Sequence, residues 1–379
     1  MKKRLFLLFI AGFLLLGGCG TAEPAEQAEQ PPTNADLADI GREQTTFDIQ
    51  TQREFDVSPG EHGYVGAALI EHMNDHLPNR LAFSDRELEA AEWIVDTLLA
   101  MGFSGDQVEV QTFHYETSTS SWWGGASWMI DWFEESGYYD EVEFTGYSQN
   151  VILTLPGRSE QTIIMGAHYD GMANEGVSDN ASGTVLLLEN AYRMRDVDHY
   201  YTLQYVFFGA EEVGLVGSFY FADNMTSEEA DNLILMINAD VIMDGPDLIY
   251  AIGYIEALPE WPMEILWGGE VDVSQNPLSE NVKEIAGRLN AERATALISK
   301  PHALTLPSDQ LAFLSFGVPV MVFYGTHPVT YPETFIGDVL HTPDDNLDFI
   351  MENHPGRVER ALYEFGLFLE TITMSENIQ

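Results

Sequence analysis

Cysteine is all but absent: Cys19 is the only thiol in 379 residues. That excludes an intramolecular disulfide, so stability must come from the core and from any bound metal. Basic side chains are also few, with 16 Lys and Arg against 61 Asp and Glu and a formal net charge of −45. A surface of that sign repels nucleic acid and anionic lipid, which removes both as partners. Long apolar runs are missing too. The one candidate, Leu5 to Leu16, is about a dozen residues, short of the roughly 20 that a membrane-spanning helix needs.

That short run does have a reading. Lys2, Lys3 and Arg4 precede it and Leu-Gly-Gly-Cys19 closes it, the layout of a secretory signal peptide. The Leu-Gly-Gly-Cys end looks like a bacterial lipobox, so residues 1–19 are expected to be a lipoprotein signal and Cys19 the lipidated first residue. The expected location is the extracytoplasmic face of the cell membrane, with Cys19 the only membrane contact. Without residues 1–19, 13 basic residues face 61 acids, a net charge of −48. The next stretch, "TAEPAEQAEQPPTNADLAD", is rich in Pro, Gln, Glu and Ala with few large apolar residues. Residues 20–60 are therefore expected to be a flexible tether. From Glu61 the pattern is globular, without repeats or a second linker, which predicts one domain over 61–379.

Within that domain strands and helices alternate. Ser84 with Glu87 marks a capping box that opens a helix to about Met101. "QVEVQTFHY", "NVILTLPG", "TIIMGAH", "LQYVFFGA", "LILMINAD" and "GVPVMVFYG" read as strands, and "ASGTVLLLENAYRM", 280–293 and 356–373 as helices. Continuous apolar strands separated by helices predict an α/β fold of three layers, α/β/α, around a mixed, mostly parallel sheet. In such sheets ligands sit beyond the carboxyl ends of the strands.

The polar residues at those ends form a set. His168 and Asp170 follow "TIIMGA", Asp179 opens the next helix, and Glu211 and Glu212 follow "YVFFGA". Asp240 follows "LILMINA", and His341 comes after the last apolar strand and a long loop. Singly each has an ordinary explanation: an N-cap for Asp179, first-turn acids for Glu211 and Glu212, a turn for Asp240, a surface position for His341. Together the explanations fail. Each like-charge pair at ~4 Å costs about 4 kcal/mol at an effective dielectric near 20, and several such pairs exceed the stability of an ordinary domain. Two divalent cations nearly balance five carboxylates. Imidazole and carboxylate without thiolate suits zinc, and also manganese or cobalt.

With its segments His168-Tyr-Asp170, Asp179-Asn-Ala-Ser-Gly, Ala-Glu211-Glu212, Asn238-Ala-Asp240 and His341-Thr-Pro-Asp-Asp-Asn, the chain resembles the di-zinc aminopeptidase family of zinc exopeptidases. The likeness covers most of residues 61–375, in the family's motif order. It implies the zinc-exopeptidase fold and two Zn2+ per chain. One would be held by His168 and Asp240, the other by Glu212 and His341, with Asp179 bridging. By the same likeness Asp170 orients His168, Glu211 is the general base, and the peptide bond after Asp179 is cis. The implied activity is removal of N-terminal residues from peptides with a free N-terminus. The superfamily also contains glutaminyl cyclases, which share the sheet and most ligands but use one zinc. They typically place Ser after the bridging Asp, where this chain has Asn180. A surface protein that kept the fold and only binds peptides is a third reading, against which stand the complete ligand set and the base.

Some residues stay outside this pattern. "SWWGGASWMIDWF" holds Trp122, Trp123, Trp128 and Trp132, either a lid or an aromatic cluster packing the sheet edge. Residues 254–305, weakly periodic apart from the 280–293 helix, are expected to be loops over the cleft. Ser308 and Asp309 either shape the pocket or, for Ser308, cap a helix. Some relatives place Tyr before the last His ligand, where this chain has Leu340; Tyr324 and Tyr331 are the candidate replacements. Eight histidines, 62, 72, 76, 114, 199, 302, 327 and 354, match no motif, with His327 expected nearest the cleft. Glu175 is expected to face solvent.

Overall fold

A computed structural model describes residues 34, 50–115, 130–131, 134–253, 277–301, 308–314, 317–327 and 337–378. Among them eight strands form one sheet: β1 (Val108–His114), β2 (Tyr147–Leu155), β3 (Thr162–His168), β4 (Thr202–Phe208), β5 (Leu233–Ala239), β6 (Asp247–Gly253), β7 (Ile298–Pro301) and β8 (Val320–Thr326). Their spatial order is β1-β2-β4-β3-β5-β8-β6-β7. The central run β4-β3-β5-β8 is parallel throughout, and the antiparallel pairs lie toward the edges. The described helices are α1 (Tyr64–His76), α2 (Asp85–Ala100), α3 (Ser182–Met194), α4 (Val216–Asn224), α5 (Ser227–Asn232), α6 (Pro277–Glu292), α7 (Gln310–Leu314), α8 (Leu347–Asn353) and α9 (Arg357–Thr373).

Side-chain alternation along the strands separates two cores. Ile163, Met165 and Ala167 of β3 join the larger one with residues of α1, α2, α3, α6 and α9. Ile164, on the opposite face, packs with Val206, Phe208 and Met236 beneath α4 and α7. The sheet is thus covered on both sides, the expected three-layer arrangement. None of the described helices is long and apolar enough to cross a membrane.

The strands read from sequence are β1, β2, β3, β4, β5 and β8. Two more were not. β6 pairs antiparallel with β8, and β7 adds parallel to β6. β7 lies inside 254–305, so that stretch is not only loops and a helix: four residues complete the sheet edge. A strand so short shows no periodicity of its own and exists because β6 supplies its hydrogen bonds. Residues 254–276, with Trp122, Trp123, Trp128, Trp132 and Tyr331, lie outside the described residues.

The packed body also begins before Glu61. Arg53 pairs with Glu71 (3.3 Å), Asp75 (2.8 Å) and Asp348 (3.0 Å), and Phe55 packs on the larger core. Farther back, Asn34 Oδ1 accepts from Val110 N of the edge strand β1 (2.7 Å). Composition averaged over 20–60 hides these anchors, because one arginine and one phenylalanine barely change the mean.

The capping box at Ser84 is half made. Glu87 N donates to Ser84 Oγ (3.2 Å), but the Glu87 carboxylate does not return to Ser84 N. It is fully buried and accepts from Phe83 N (2.6 Å), Ser148 Oγ (2.7 Å) and Ala210 N (2.8 Å). Tertiary partners have claimed it.

Candidate metal centre

Register brings the site together. β3 lies between β4 and β5, parallel to both, which makes its carboxyl end the switch point of the sheet. His168 ends β3 opposite Phe208 of β4, three residues before Glu211. Gly166 pairs with Asn238, so Asp240 comes level with His168 on the other side. Asp179 approaches from the start of α3. Gly183 permits this: a Cβ there would lie 2.2 Å from Ala239 O, so only glycine lets α3 seat against the end of β5. The Asp179–Asn180 peptide is cis, as the family likeness implied.

Asp179 is shared between two imidazoles. Its Oδ1 lies 3.2 Å from His168 Nε2 and its Oδ2 lies 2.9 Å from His341 Nε2. Asp240 Oδ1 is 3.3 Å from His168 Nε2, and Glu212 Oε2 is 3.2 Å from His341 Nε2. Two groups of donor atoms follow, His168 with Glu211 and Asp240, and Asp179 with Glu212 and His341, each within 4.8 Å. The structure thus brings Glu211 in among the expected ligands. His168, Asp179, Glu212 and Asp240 are buried, while 39 % of the His341 side chain is exposed. The centre opens to solvent on the His341 side.

Asp170 does more than the likeness implied. Its main-chain O is 3.2 Å and its Oδ1 3.4 Å from His168 Nδ1, which leaves Nε2 facing the carboxylates. The same carboxylate accepts from Glu211 N (3.0 Å) and Glu212 N (3.1 Å), so one side chain orients an imidazole and clamps the two glutamates.

Four buried charges whose anchoring role the sequence does not reveal hold the other loops. Asp345 accepts from Ser178 N (2.6 Å) and Asp179 N (3.0 Å). Asp244 accepts from Val339 N and Leu340 N, both at 2.9 Å, just before His341. Glu87 holds Ala210, next to Glu211. Arg80, 1 % exposed, donates to Leu77 O (2.7 Å), Tyr169 O (2.7 Å), Glu175 O (2.8 Å) and Gly176 O (2.9 Å), pinning the loop between His168 and Asp179. Glu175, half-buried, contributes that carbonyl. Ala210, Val241 and His341 have φ of 54°, 46° and 53°, left-handed values that non-glycine residues adopt at a cost the anchors offset. Arg80→Met should leave four carbonyls without their buried donor and lower stability by about 3 kcal/mol or more. A denaturant titration reads this, and an unchanged midpoint would refute the pinning role.

Protonation follows from the crowding. Burial, with Asp179 beside it, pushes Glu212 up to about 7, and burial next to Asp309, Glu212 and Asp240 raises Glu211. Burial alone would raise Asp179 and lower the histidines, but at Asp179 the hydrogen bonds from both imidazoles win, and at His168 and His341 the facing charges of Glu211, Asp240 and Glu212, with the hydrogen bonds, win. Asp179 is held below the usual carboxylate range and His168 and His341 stay protonated well above theirs. Burial brings Arg80 down to about 10, still cationic at neutral pH. Acids that share protons around converging imidazoles are groups whose charge a divalent cation would satisfy. Glu212 Oε1 is buried with no hydrogen-bond partner, a donor atom with its lone pairs free. The all-N/O donor set suits zinc.

Ser308 Oγ accepts from Asn238 Nδ2 (2.8 Å), tying the α7 segment to β5. Asp309 is buried, pushed up to about 7, and acts on His168 and Glu211 through its charge. Tyr324 packs with Val241, Ile249, Ala251, Val322 and Leu340 beside the ligand loops.

A model of peptidase family M28 matches residues 150–366. The alkaline phosphatase isozyme conversion protein of Escherichia coli (strain K12) is 25 % identical over 197 residues, 48 % of this chain and 52 % of that relative, so the match spans about half the relative's length. A zinc aminopeptidase from Bacillus subtilis superposes with TM-score 0.61 at 16 % identity, covering 84 % of this chain and 97 % of that one. A glutaminyl cyclase from an Acidobacteriales bacterium gives 0.55 at 19 % identity, covering 86 % and 99 %. These likenesses at low identity establish a common fold. Together with the family match across more than half of its length, they place the chain in peptidase family M28.

Proposed function

We propose that this chain is a two-zinc aminopeptidase, lipid-anchored through Cys19 on the extracytoplasmic face of the membrane. The observation that carries the reading is the Asp179 carboxylate, whose two oxygens face two different imidazoles. His168 and Asp240 would hold one zinc, Glu212 and His341 the other, and Asp179 both. Bound there, the zinc pair supplies a nucleophilic water at neutral pH and polarises the scissile carbonyl.

The chain's own residues do the rest. Glu211, its proton affinity raised by burial, takes a proton from the attacking water and returns it to the leaving amine. Asp170 holds the Glu211 and Glu212 main chain, and so the spacing between base and ligand. The acidic surroundings favour a substrate whose N-terminal ammonium is free, which accounts for trimming from the end rather than internal cleavage.

The test is hydrolysis of aminoacyl anilides against N-blocked controls, together with metal content. Cleavage of free but not blocked substrates, with two tightly held zinc ions per chain, is the expected result. Cleavage of blocked peptides alone would sink the reading. One zinc per chain with cyclisation of N-terminal Gln would identify a glutaminyl cyclase, the activity named for one of the similar folds.

A further inference from the structure

Two histidines with no place in the site described above form a cluster of their own. His72 and His76 stand at i and i+4 near the end of α1, on one face of the helix, with His76 in its last turn. Their rings lie 4.7 Å apart between centroids. His72 is stacked flat on Trp93 of α2, at 5.1 Å and 7°, which fixes its ring. Among the described residues neither imidazole makes a hydrogen bond.

We propose that His72 and His76 chelate one divalent transition cation (Cu2+, Ni2+ or Zn2+) at an accessory site separate from the Asp179 centre. Two imidazoles one helical turn apart are a known zinc-binding arrangement, and imidazole selects these ions over Mg2+ and Ca2+, which take oxygen donors. Three further features favour the cation. The negative end of the helix dipole lies at His76. The chain's net charge of −45 concentrates cations around it. Burial and the neighbouring His76 lower the proton affinity of His72, so its lone pair is free near neutrality.

The two carboxylates adjacent in sequence are already taken, Asp75 by Arg53 (2.8 Å) and Asn74 (2.6 Å), and Glu71 by the main-chain N–H groups of Gln52 and Arg53 (both 2.7 Å). Water therefore completes the coordination, and the ion exchanges far more readily than one held by carboxylates and imidazoles together. The bound ion would clamp the turn that leads directly to Leu77 and Arg80, the segment that pins the 169–176 loop.

The test is calorimetric titration of Ni2+ into the full, zinc-loaded chain at neutral pH. One exchangeable equivalent beyond the zinc is expected. H72Q and H76Q should each weaken it by at least the roughly tenfold lost when only a ligand's hydrogen-bond partner is removed. H114Q, at an exposed histidine on β1, should bind as the parent does. His76 is exposed at the helix end, so H76Q keeps the fold even where H72Q disturbs the Trp93 stack. A second reading uses Cu2+ quenching of tryptophan emission, which W93F should diminish without loss of binding. No additional equivalent, or unchanged Ni2+ affinity in H76Q, would overturn the proposal.

Discussion

Glu211→Gln is expected to retain both zinc ions and lose about 10²–10⁴-fold in kcat, the range that a positioned general base supplies. Gln matches Glu in shape, so the Asp170 clamp on the main-chain N–H groups of residues 211 and 212 survives. What disappears is the ability to accept a proton. The neighbouring carboxylates do not replace it, because Asp179, Glu212 and Asp240 face His168 and His341. Glu211 itself lies within 4.8 Å of the His168 and Asp240 donor atoms, so the competing role is that of a ligand. Metal analysis alongside kinetics separates the two. A variant that loses zinc in proportion to activity would make Glu211 a ligand, and one that turns over near the parent rate would remove it from the mechanism.

The second large effect is on stability. Metal-free protein should become less stable as pH rises from about 5 to about 8, whereas zinc-loaded protein should not. The sign follows from the buried acids. Asp244, Asp345 and Glu212 are each pushed up to about 7, chiefly by burial. Between their ordinary values and 7 the folded chain therefore binds more protons than the unfolded chain, and stability falls as pH increases. His168 and His341, raised by their acidic neighbours, hold protons that are also given up as pH rises. Asp179 has the opposite sign, but its contribution is lost only on strong acidification, outside this window.

A pKa difference of one is worth about 1.4 kcal/mol, so several groups moving together give a fall of several kcal/mol. For a domain of this size that is on the order of 10 °C in Tm. Zinc at 1,000 times its dissociation constant would return about 4 kcal/mol per site. Scanning calorimetry with and without chelator checks this. Equal Tm at both ends of the window in the chelated protein would contradict the proton-sharing account.

The candidate ligands were legible because chemistry and strand geometry agree at most of their positions. His168, Glu212 and Asp240 stand just beyond an apolar run long enough to read as a buried strand and Asp179 at the start of the helix that follows one, whereas His341 follows β8 only after a long loop. The anchors were not legible for a related reason. Arg80, Glu87, Asp244 and Asp345 bind main-chain groups, which carry no residue identity, across 89, 123, 95 and 167 positions of sequence. The sequence could offer only a charge among apolar neighbours, as at Arg80 in "LPNRLAF".

By itself, then, the sequence determined the alternation of strand and helix, the six central and edge strands, and the donor atoms of the centre. Those follow from local periodicity and residue chemistry, which neighbours in the chain suffice to express. Tertiary structure alone decided that β6 and β7 complete the sheet, that Glu87 turns from its cap to Ala210, and that Asp170 both orients His168 and clamps Glu211 and Glu212. It also decided that Asp179 faces two imidazoles at once. Each of these depends on which distant main-chain and side-chain groups are brought within hydrogen-bonding distance, a property of register and packing that no local pattern encodes.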